Sequence, residues 1–292
     1  MQSSAVFSVL LPMALVVIML GLGLSLTVAD FRRVIARPKP VVVALACQTL
    51  ILPIICFGIV YASALPAAIA VGMMLLAASP GGSSANLYSH LAGGDVALNI
   101  TLTTINTVLS LVTLPIIVNF SLLAFYGEGK VIPLQIDKVL QVFSLVLIPV
   151  AIGMVVRNRY DGLAVALDRP VKILSSVFLA AIVVGALIQE WNTLVTWGPV
   201  IGLTALVFNL VSLAIGYGVP VLLKLDRRQA IAICMEVGIH NSTLVIAIAM
   251  SPTLLNNSEM AIPPAIYGLL AYITAGVVVF AMKRRGPVPS AA

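Results

Sequence analysis

Charge is what this sequence has least of. Only 9% of its 292 residues are Asp, Glu, Lys or Arg, while 61% belong to the hydrophobic set. A soluble domain carries about 25% charge. The shortfall leaves no room for a separate soluble catalytic domain. Aromatic residues are sparse, at 6%, and no basic run is interleaved with them, so nucleic acid is not an expected partner. Cysteine is nearly absent: Cys47, Cys56 and Cys234. Cys47 and Cys56 lie nine apart on one expected helix, roughly 13–14 Å along its axis, too far to bridge. No His or Cys spacing suits zinc or another transition metal. The first apolar run, 5–29, has no basic segment ahead of it and is too long for a signal-peptide core. It reads as a retained membrane span.

What remains is a polytopic all-α membrane chain, a single transporter-sized unit over 1–292. Apolar runs mark nine spans, at about 5–29, 41–61, 67–91, 96–125, 137–156, 171–189, 197–222, 229–250 and 262–282. Between spans 1 and 2, the segment from Asp30 to Pro40 reads as a loop closed by two prolines. Arg157 and Arg159 read as loop residues, and Trp191 and Trp197 as interfacial belt residues. With the N-terminus outside and the C-terminus cytoplasmic, fourteen of the sixteen basic residues fall on inner loops. Only Lys130 and Lys138 lie outside. That bias is what the positive-inside rule expects of a plasma-membrane protein. The short loops and tails fit a minimal carrier of a bacterial inner membrane.

Two spans carry polar breaks. Span 3 contains Ser79-Pro80-Gly81-Gly82-Ser83-Ser84-Ala85-Asn86. Proline removes a backbone donor and clashes with the preceding turn, and the glycines weaken the helix further. Span 8 contains Glu236-Val237-Gly238-Ile239-His240-Asn241-Ser242. Of the ten acidic residues, Glu236 alone is neither in a loop nor at a span end. A charge at membrane depth costs roughly 2.5–3.5 kcal/mol on insertion scales. Glu236 must therefore be paired, with a bound cation, or be protonated and hydrogen-bonded to a neighbouring helix. Spans 3 and 8 lie five apart, so they cross the membrane in opposite directions. Interrupted segments at matching places in two oppositely oriented halves mark an inverted-repeat secondary transporter.

Other polar residues fit beside the breaks. Asn99, Thr103, Asn106 and Ser110 share one helical face of span 4. Such a face either glues helices together or lines a hydrated site. Gln48 stands in apolar span 2, with Pro53 about a turn and a half later. Asn209 and Ser212 in span 7 read as packing. His240 reads as buried, one turn after Glu236 on the same face, able to pair with it, ligate a cation or carry a proton. A carboxylate, amides, hydroxyls and freed carbonyls form an oxygen set suited to Na⁺, a hard cation.

The segments Pro80-Gly-Gly-Ser-Ser-Ala-Asn86, Gly93-Gly-Asp-Val-Ala-Leu-Asn99-Ile-Thr-Leu-Thr103, Gln48-Thr-Leu-Ile-Leu-Pro53 and Glu236-Val-Gly-Ile-His-Asn-Ser242 resemble the bile acid:sodium symporter family over nearly the whole chain. The resemblance implies a panel domain and a core domain, with two broken helices crossing in the core. Bacterial relatives have ten helices, so this chain looks like a nine-span variant lacking the first. The panel would be spans 1, 5 and 6, and the core spans 2–4 and 7–9. The resemblance also implies a first sodium site at Ala85, Asn86, Asn99, Thr103 and Glu236. A second would use Gln48, Glu236, Val237, Ile239 and His240, with Val237 and Ile239 offering carbonyls. Ala85 and His240 depart from the bacterial pattern, in which Ser and Gln are common there. A substrate anion would lie near Ser83, Ser84 and Asn241.

The expected function is sodium-coupled symport of an organic anion, bile-acid-like or a small carboxylate such as pantoate, by alternating access. Its partners would be Na⁺, the anion and the bilayer, with no obligate protein partner evident. A proton-coupled carrier or an exporter on the same scaffold is the alternative. An intramembrane hydrolase would need an activated nucleophile. Ser242 or Thr243 near His240 is the only candidate, with no third group to orient the base. The chain therefore reads as a carrier and not an enzyme.

Overall fold

The computed structural model describes residues 38–82, 84–127, 136–167, 190–251 and 254–284, with scattered positions within 13–24 and 170–188. Among the described residues the chain is helical, and one isolated bridge is the only β-type pairing. The order is α1 (Pro38–Ala46), a π-helical turn (Cys47–Ile51), α2 (Leu52–Ala62), α3 (Ala67–Ala78), α4 (Ser84–Ala92), α5 (Val96–Tyr126), α6 (Ile136–Arg159), α7 (Trp191–Leu222), α8 (Arg227–Gly238), α9 (Ser242–Met250), a 3-10 turn (Glu259–Ala261) and α10 (Ile262–Arg284). The protein is an all-α polytopic membrane protein.

Three continuous stretches among the described residues are long and apolar enough to cross a bilayer: Pro38–Ala62, Trp191–Leu222 and Glu259–Lys283. A fourth is α5, if its halves Val96–Ser110 and Val112–Tyr126, bent by 55°, count together. The bend falls where the Pro115 ring meets the carbonyl four residues before it. The remaining expected core spans fall short because each is broken in the middle. Spans 1 and 6, expected at 5–29 and 171–189, lie largely outside the described residues.

Helix α3 places the first break. Apart from Ala67 every residue along it is buried. A helix apolar on all sides belongs in the centre of a bundle. Helix α7 lies along α8 at short range: a Cβ at Gly216 would fall 2.9 Å from the Cys234 Cα. Small residues permit that backbone approach where lipid gives no hydrophobic drive. The first span meets α6 in the same way. A Cβ at Gly23 would lie 2.2 Å from the Val150 carbonyl oxygen, and one at Gly21 would lie 2.8 Å from Val171. These are segments of the three expected panel spans.

Inter-helix bonds sort the loops into two ends. At one end Thr204 donates to Ser63 and Ser258 donates to Glu190. At the other, the Asp95 N–H donates to the Arg228 carbonyl and Arg227 to the Met282 carbonyl. Alternating spans require this sorting.

Some expected boundaries move. Helix α1 begins at Pro38, so both loop-closing prolines are in its first turn. There a missing N–H costs nothing and the fixed φ suits a helix. Helix α6 runs through Arg157 to Arg159, and Arg157 pairs with Asp161 at 3.2 Å. Helix α7 starts at Trp191, ahead of the expected 197. Gln48 lies in a π turn five residues before Pro53. Pro53 has no N–H to give the usual partner carbonyl, which favours the wider turn.

Candidate ion and substrate site

The two breaks meet each other in the interior. Helix α3 stops at Ala78 and α8 at Gly238, and the residues after each are extended. Gly81 and His240 form an antiparallel bridge. The Gly82 N–H donates to the Ile239 carbonyl at 2.6 Å, and the Asn241 N–H to the Pro80 carbonyl at 2.9 Å. Other freed groups find partners close by. Gln48 Nε2 donates to the Ser79 carbonyl at 2.8 Å. Asn209 Nδ2 and the Tyr267 hydroxyl both donate to the Gly238 carbonyl at 2.9 Å. The Ala85 N–H donates to Gly82, and the Ser242 N–H to His240, each at 2.9 Å. A helix can break at membrane depth only when such groups are satisfied by protein or a wet cavity.

Glu236 lies in the last turn of α8, with no exposed surface. One carboxylate oxygen accepts from Thr103 Oγ1 at 2.6 Å and from Asn99 Nδ2 at 3.2 Å. The other accepts from Asn106 Nδ2 at 3.2 Å. The Gly81 backbone N–H also donates to the carboxylate. All these partners are neutral. They satisfy the lone pairs without compensating the charge.

The amides around the carboxylate are half used. Asn99 and Asn106 must turn their NH₂ groups to Glu236, because their oxygens would repel it. That leaves Asn99 Oδ1 and Asn106 Oδ1 buried without a partner. Asn86 Oδ1 and Gln48 Oε1 are in the same condition. A buried amide oxygen left bare costs about 1–3 kcal/mol. Two of these oxygens belong to amides that touch the Glu236 carboxylate, and a bare amide oxygen beside a carboxylate is the kind of ligand a hard cation takes.

The expected site residues are placed as follows. Asn99, Thr103 and Glu236 are in direct contact. Ala85 and Asn86 stand in the first turn of α4. Ala85 is fully buried and offers only its backbone. Val237 is buried in the last turn of α8, and the Ile239 carbonyl already holds the Gly82 N–H. Gln48 Nε2 approaches His240 Nδ1 at 3.1 Å. Ser84 opens α4, and Ser83 lies outside the described residues. Asn241 caps α9, its side-chain oxygen accepting from the Leu244 N–H at 3.0 Å.

His240 departs from its expected place. It does not stand one helical turn above Glu236, because α8 ends at Gly238 and His240 is extended. Its ring stacks on Phe208 and meets Tyr267 edge-on, both at 5.4 Å between centroids. Its Nε2 is buried without a partner. Two further residues acquire a place. Asn106 was visible on the Asn99 face by spacing, but not in the expected ion set. Asn209, read as packing, holds the last carbonyl of α8. A lone Asn in an apolar span carries no signal that separates it from helix glue.

Two interrupted helices paired at their breaks, inside an all-α multi-pass chain and beside a buried carboxylate, define a membrane protein of the crossed-helix type. The Sodium Bile acid symporter family matches residues 12–197. The chain belongs to that family. Among its relatives is the uncharacterized sodium-dependent transporter YocS of Bacillus subtilis, 29% identical over 254 residues, 87% of this chain and 76% of that protein. Sodium/bile acid cotransporter 4 of Rattus norvegicus is 30% identical over 281 residues, 94% of this chain and 63% of the rat protein. A probable sodium/metabolite cotransporter of Arabidopsis thaliana chloroplasts, BASS1, is 26% identical over 94% of this chain and 66% of its own length. The chain thus spans less than two thirds of the rat relative and about three quarters of the bacterial one.

Proposed function

We propose that this protein is a sodium-coupled symporter of an organic anion, working by alternating access of a core (spans 2–4 and 7–9) against a panel (spans 1, 5 and 6). One observation carries the reading: Glu236 is fully buried among neutral donors, two of which, Asn99 and Asn106, keep bare amide oxygens beside it. A cation at Glu236 would compensate the charge and satisfy those oxygens together. The printed names of the bacterial, rat and plant relatives, all of them sodium-linked, support the choice of ion.

In this reading Glu236, Asn99, Thr103 and Asn86 bind one Na⁺, with the backbone of Ala85. Gln48, His240 and the carbonyls of Val237 and Ile239 border a second position next to it. Helices α4 and α9 begin just after the two breaks, and the positive ends of their dipoles favour an anion there, beside Ser83, Ser84 and Asn241. The Na⁺ charge adds to that attraction, so ion and substrate bind cooperatively. The Arg-rich loops face the cytoplasm of a bacterial inner membrane. A proton on Glu236 would meet the same charge requirement, which makes proton-coupled transport the competing reading.

The deciding experiment is thermal unfolding of the detergent-purified protein in NaCl against KCl at equal ionic strength. A ligand of the folded state stabilises it by about 2.7 kcal/mol at a hundred times its Kd. A sodium-specific upward shift in the wild type that is lost in Glu236→Ala is the expected result. Equal melting in both salts, with uptake into liposomes driven by a pH gradient, would replace this reading with the proton-coupled one.

A further inference from the structure

The crossing has a local two-fold relation. Exchanging the breaks maps Ser79 on Gly238, Pro80 on Ile239, Gly81 on His240 and Gly82 on Asn241. The bond from Gly82 N–H to Ile239 O then maps on the bond from Asn241 N–H to Pro80 O. The relation extends to a side chain on each arm. Gln48 Nε2 donates to the Ser79 carbonyl, the last before Pro80. Asn209 Nδ2 donates to the Gly238 carbonyl, the last before Ile239. Each arm therefore ends on a carbonyl held by the amide of a neighbouring helix.

The two amides differ in what else they touch. The Gln48 oxygen is buried and bare. The Asn209 amide is closed on every side. Its oxygen accepts from the Thr274 hydroxyl. Its NH₂ also reaches the Tyr267 hydroxyl at 3.0 Å, and that hydroxyl donates to the same Gly238 carbonyl. Asn209 and Tyr267 have no exposed surface. One arm keeps a free oxygen beside the ion site, while the other is locked by three side chains.

We infer that Asn209, with Tyr267 and Thr274 behind it, is a positioning residue for the ion site: it fixes the Gly238 carbonyl, and thereby the direction of the Val237 and Ile239 carbonyls on either side. Where the chain leaves a helix, the peptide planes flanking a pinned carbonyl cannot turn independently. Two donors on Gly238 O hold that group and so limit where its neighbours can point. Without them the end of α8 can unwind or rewind by a residue, and the spacing between Glu236 and the two carbonyls changes. Asn209 itself touches no ion. This inference rests on the sodium reading above.

The test is a Na⁺ titration of the melting temperature, with KCl keeping the ionic strength constant, on the full-length protein and four variants. Tyr267→Phe removes one donor and almost no volume. Thr274→Val removes the hydroxyl that orients the Asn209 amide, and Thr274→Ser keeps it. Asn209→Ala removes the amide donor and leaves only the Tyr267 hydroxyl on the Gly238 carbonyl, and Tyr267→Phe carries the test should Asn209→Ala not fold. The half-saturating Na⁺ is expected to rise by about threefold to tenfold in Tyr267→Phe and Thr274→Val, the effect of one lost hydrogen bond. It should stay at the wild-type value in Thr274→Ser. The full shift should still be reached at saturating Na⁺. Wild-type half-saturation in Tyr267→Phe and Thr274→Val would overturn the inference, as would melting temperatures lowered equally at every Na⁺ concentration, which is plain packing loss. A wild type indifferent to Na⁺ would instead remove the sodium reading and this inference with it.

Discussion

Gly81→Ala is the most informative single change, because it adds one methyl group and aims it at the carboxylate. An alanine Cβ at position 81 would lie 2.3 Å from both Cδ and Oε1 of Glu236, and 2.5 Å from Oε2. That is more than 1 Å inside ordinary van der Waals separation. The backbone does not object: the positive-φ glycines among the described residues are Gly93 and Gly127. The cost is therefore one of contact alone. Glu236 must retreat by about 1 Å, while Thr103 holds it at 2.6 Å and Asn99 and Asn106 at 3.2 Å. At least one of these bonds must break. A hydrogen bond to a charged group contributes about 1.5–3 kcal/mol, and 1.4 kcal/mol is a factor of ten in affinity. The half-saturating Na⁺ should rise by about tenfold to a hundredfold, with the melting temperature in KCl lowered by the ~1–3 kcal/mol typical of overpacking. Gly58→Ala is the control, since a Cβ there meets nothing within 4 Å. It should leave the Na⁺ titration unchanged. A Gly81→Ala protein with wild-type Na⁺ half-saturation would show that the ion does not bind against Glu236.

Three further outcomes are expected. Glu236→Ala should abolish sodium-dependent transport and the sodium-specific melting shift while the protein still purifies as a folded monodisperse species; retained sodium-driven uptake would remove Glu236 from the centre of the mechanism. Thr103→Val deletes the 2.6 Å hydroxyl contact at nearly constant volume, and should weaken Na⁺ by roughly tenfold or more, read in the same titration, where an unchanged midpoint counts against the site. His240→Gln should preserve sodium-driven uptake, because a Gln amide can keep the polar contact with Gln48 that the ring makes at 3.1 Å; lost uptake in liposomes, with the protein still folded, would show that the imidazole itself is required.

Much of this site was legible because its residues are anomalies in their surroundings. Pro80 with two glycines cannot continue a helix, and a carboxylate in an apolar span demands a partner. Asn99, Thr103 and Asn106 announce a shared face by spacing alone. What the sequence could not show is where the second break begins. Span 8 has no proline, and Gly238 is compatible with either a helix interior or its end. The local pattern thus put His240 one turn above Glu236. The observed end at Gly238 depends on donors from α7 and α10, which are distant in sequence. Asn209 and Tyr267 were illegible for the same reason.

The hydrogen-bond accounting at the crossing bears on how such a protein can move. Backbone groups of the two breaks satisfy one another, and Gln48, Asn209 and Tyr267 hold the last carbonyl of each arm. None of these bonds uses Glu236 or the bare oxygens of Asn86, Asn99 and Asn106. Apart from the Gly81 N–H on Glu236, and from Gln48 and the Ile239 carbonyl at the proposed second position, the breaks are thus bonded without the residues of the proposed first ion position. A crossing that needed the cation to complete its backbone bonding would come apart when the ion left, and the carrier could not return unloaded. Here the four neutral donors on Glu236 hold the carboxylate in place without an ion, and in the sodium reading the ion would add charge compensation on top. Removing one donor should therefore weaken Na⁺ binding more than it weakens the fold. Thr103→Val read as a midpoint in Na⁺ and as a melting temperature in KCl separates the two effects. A large loss in KCl with an unchanged midpoint would mean that the donor set exists for the fold alone.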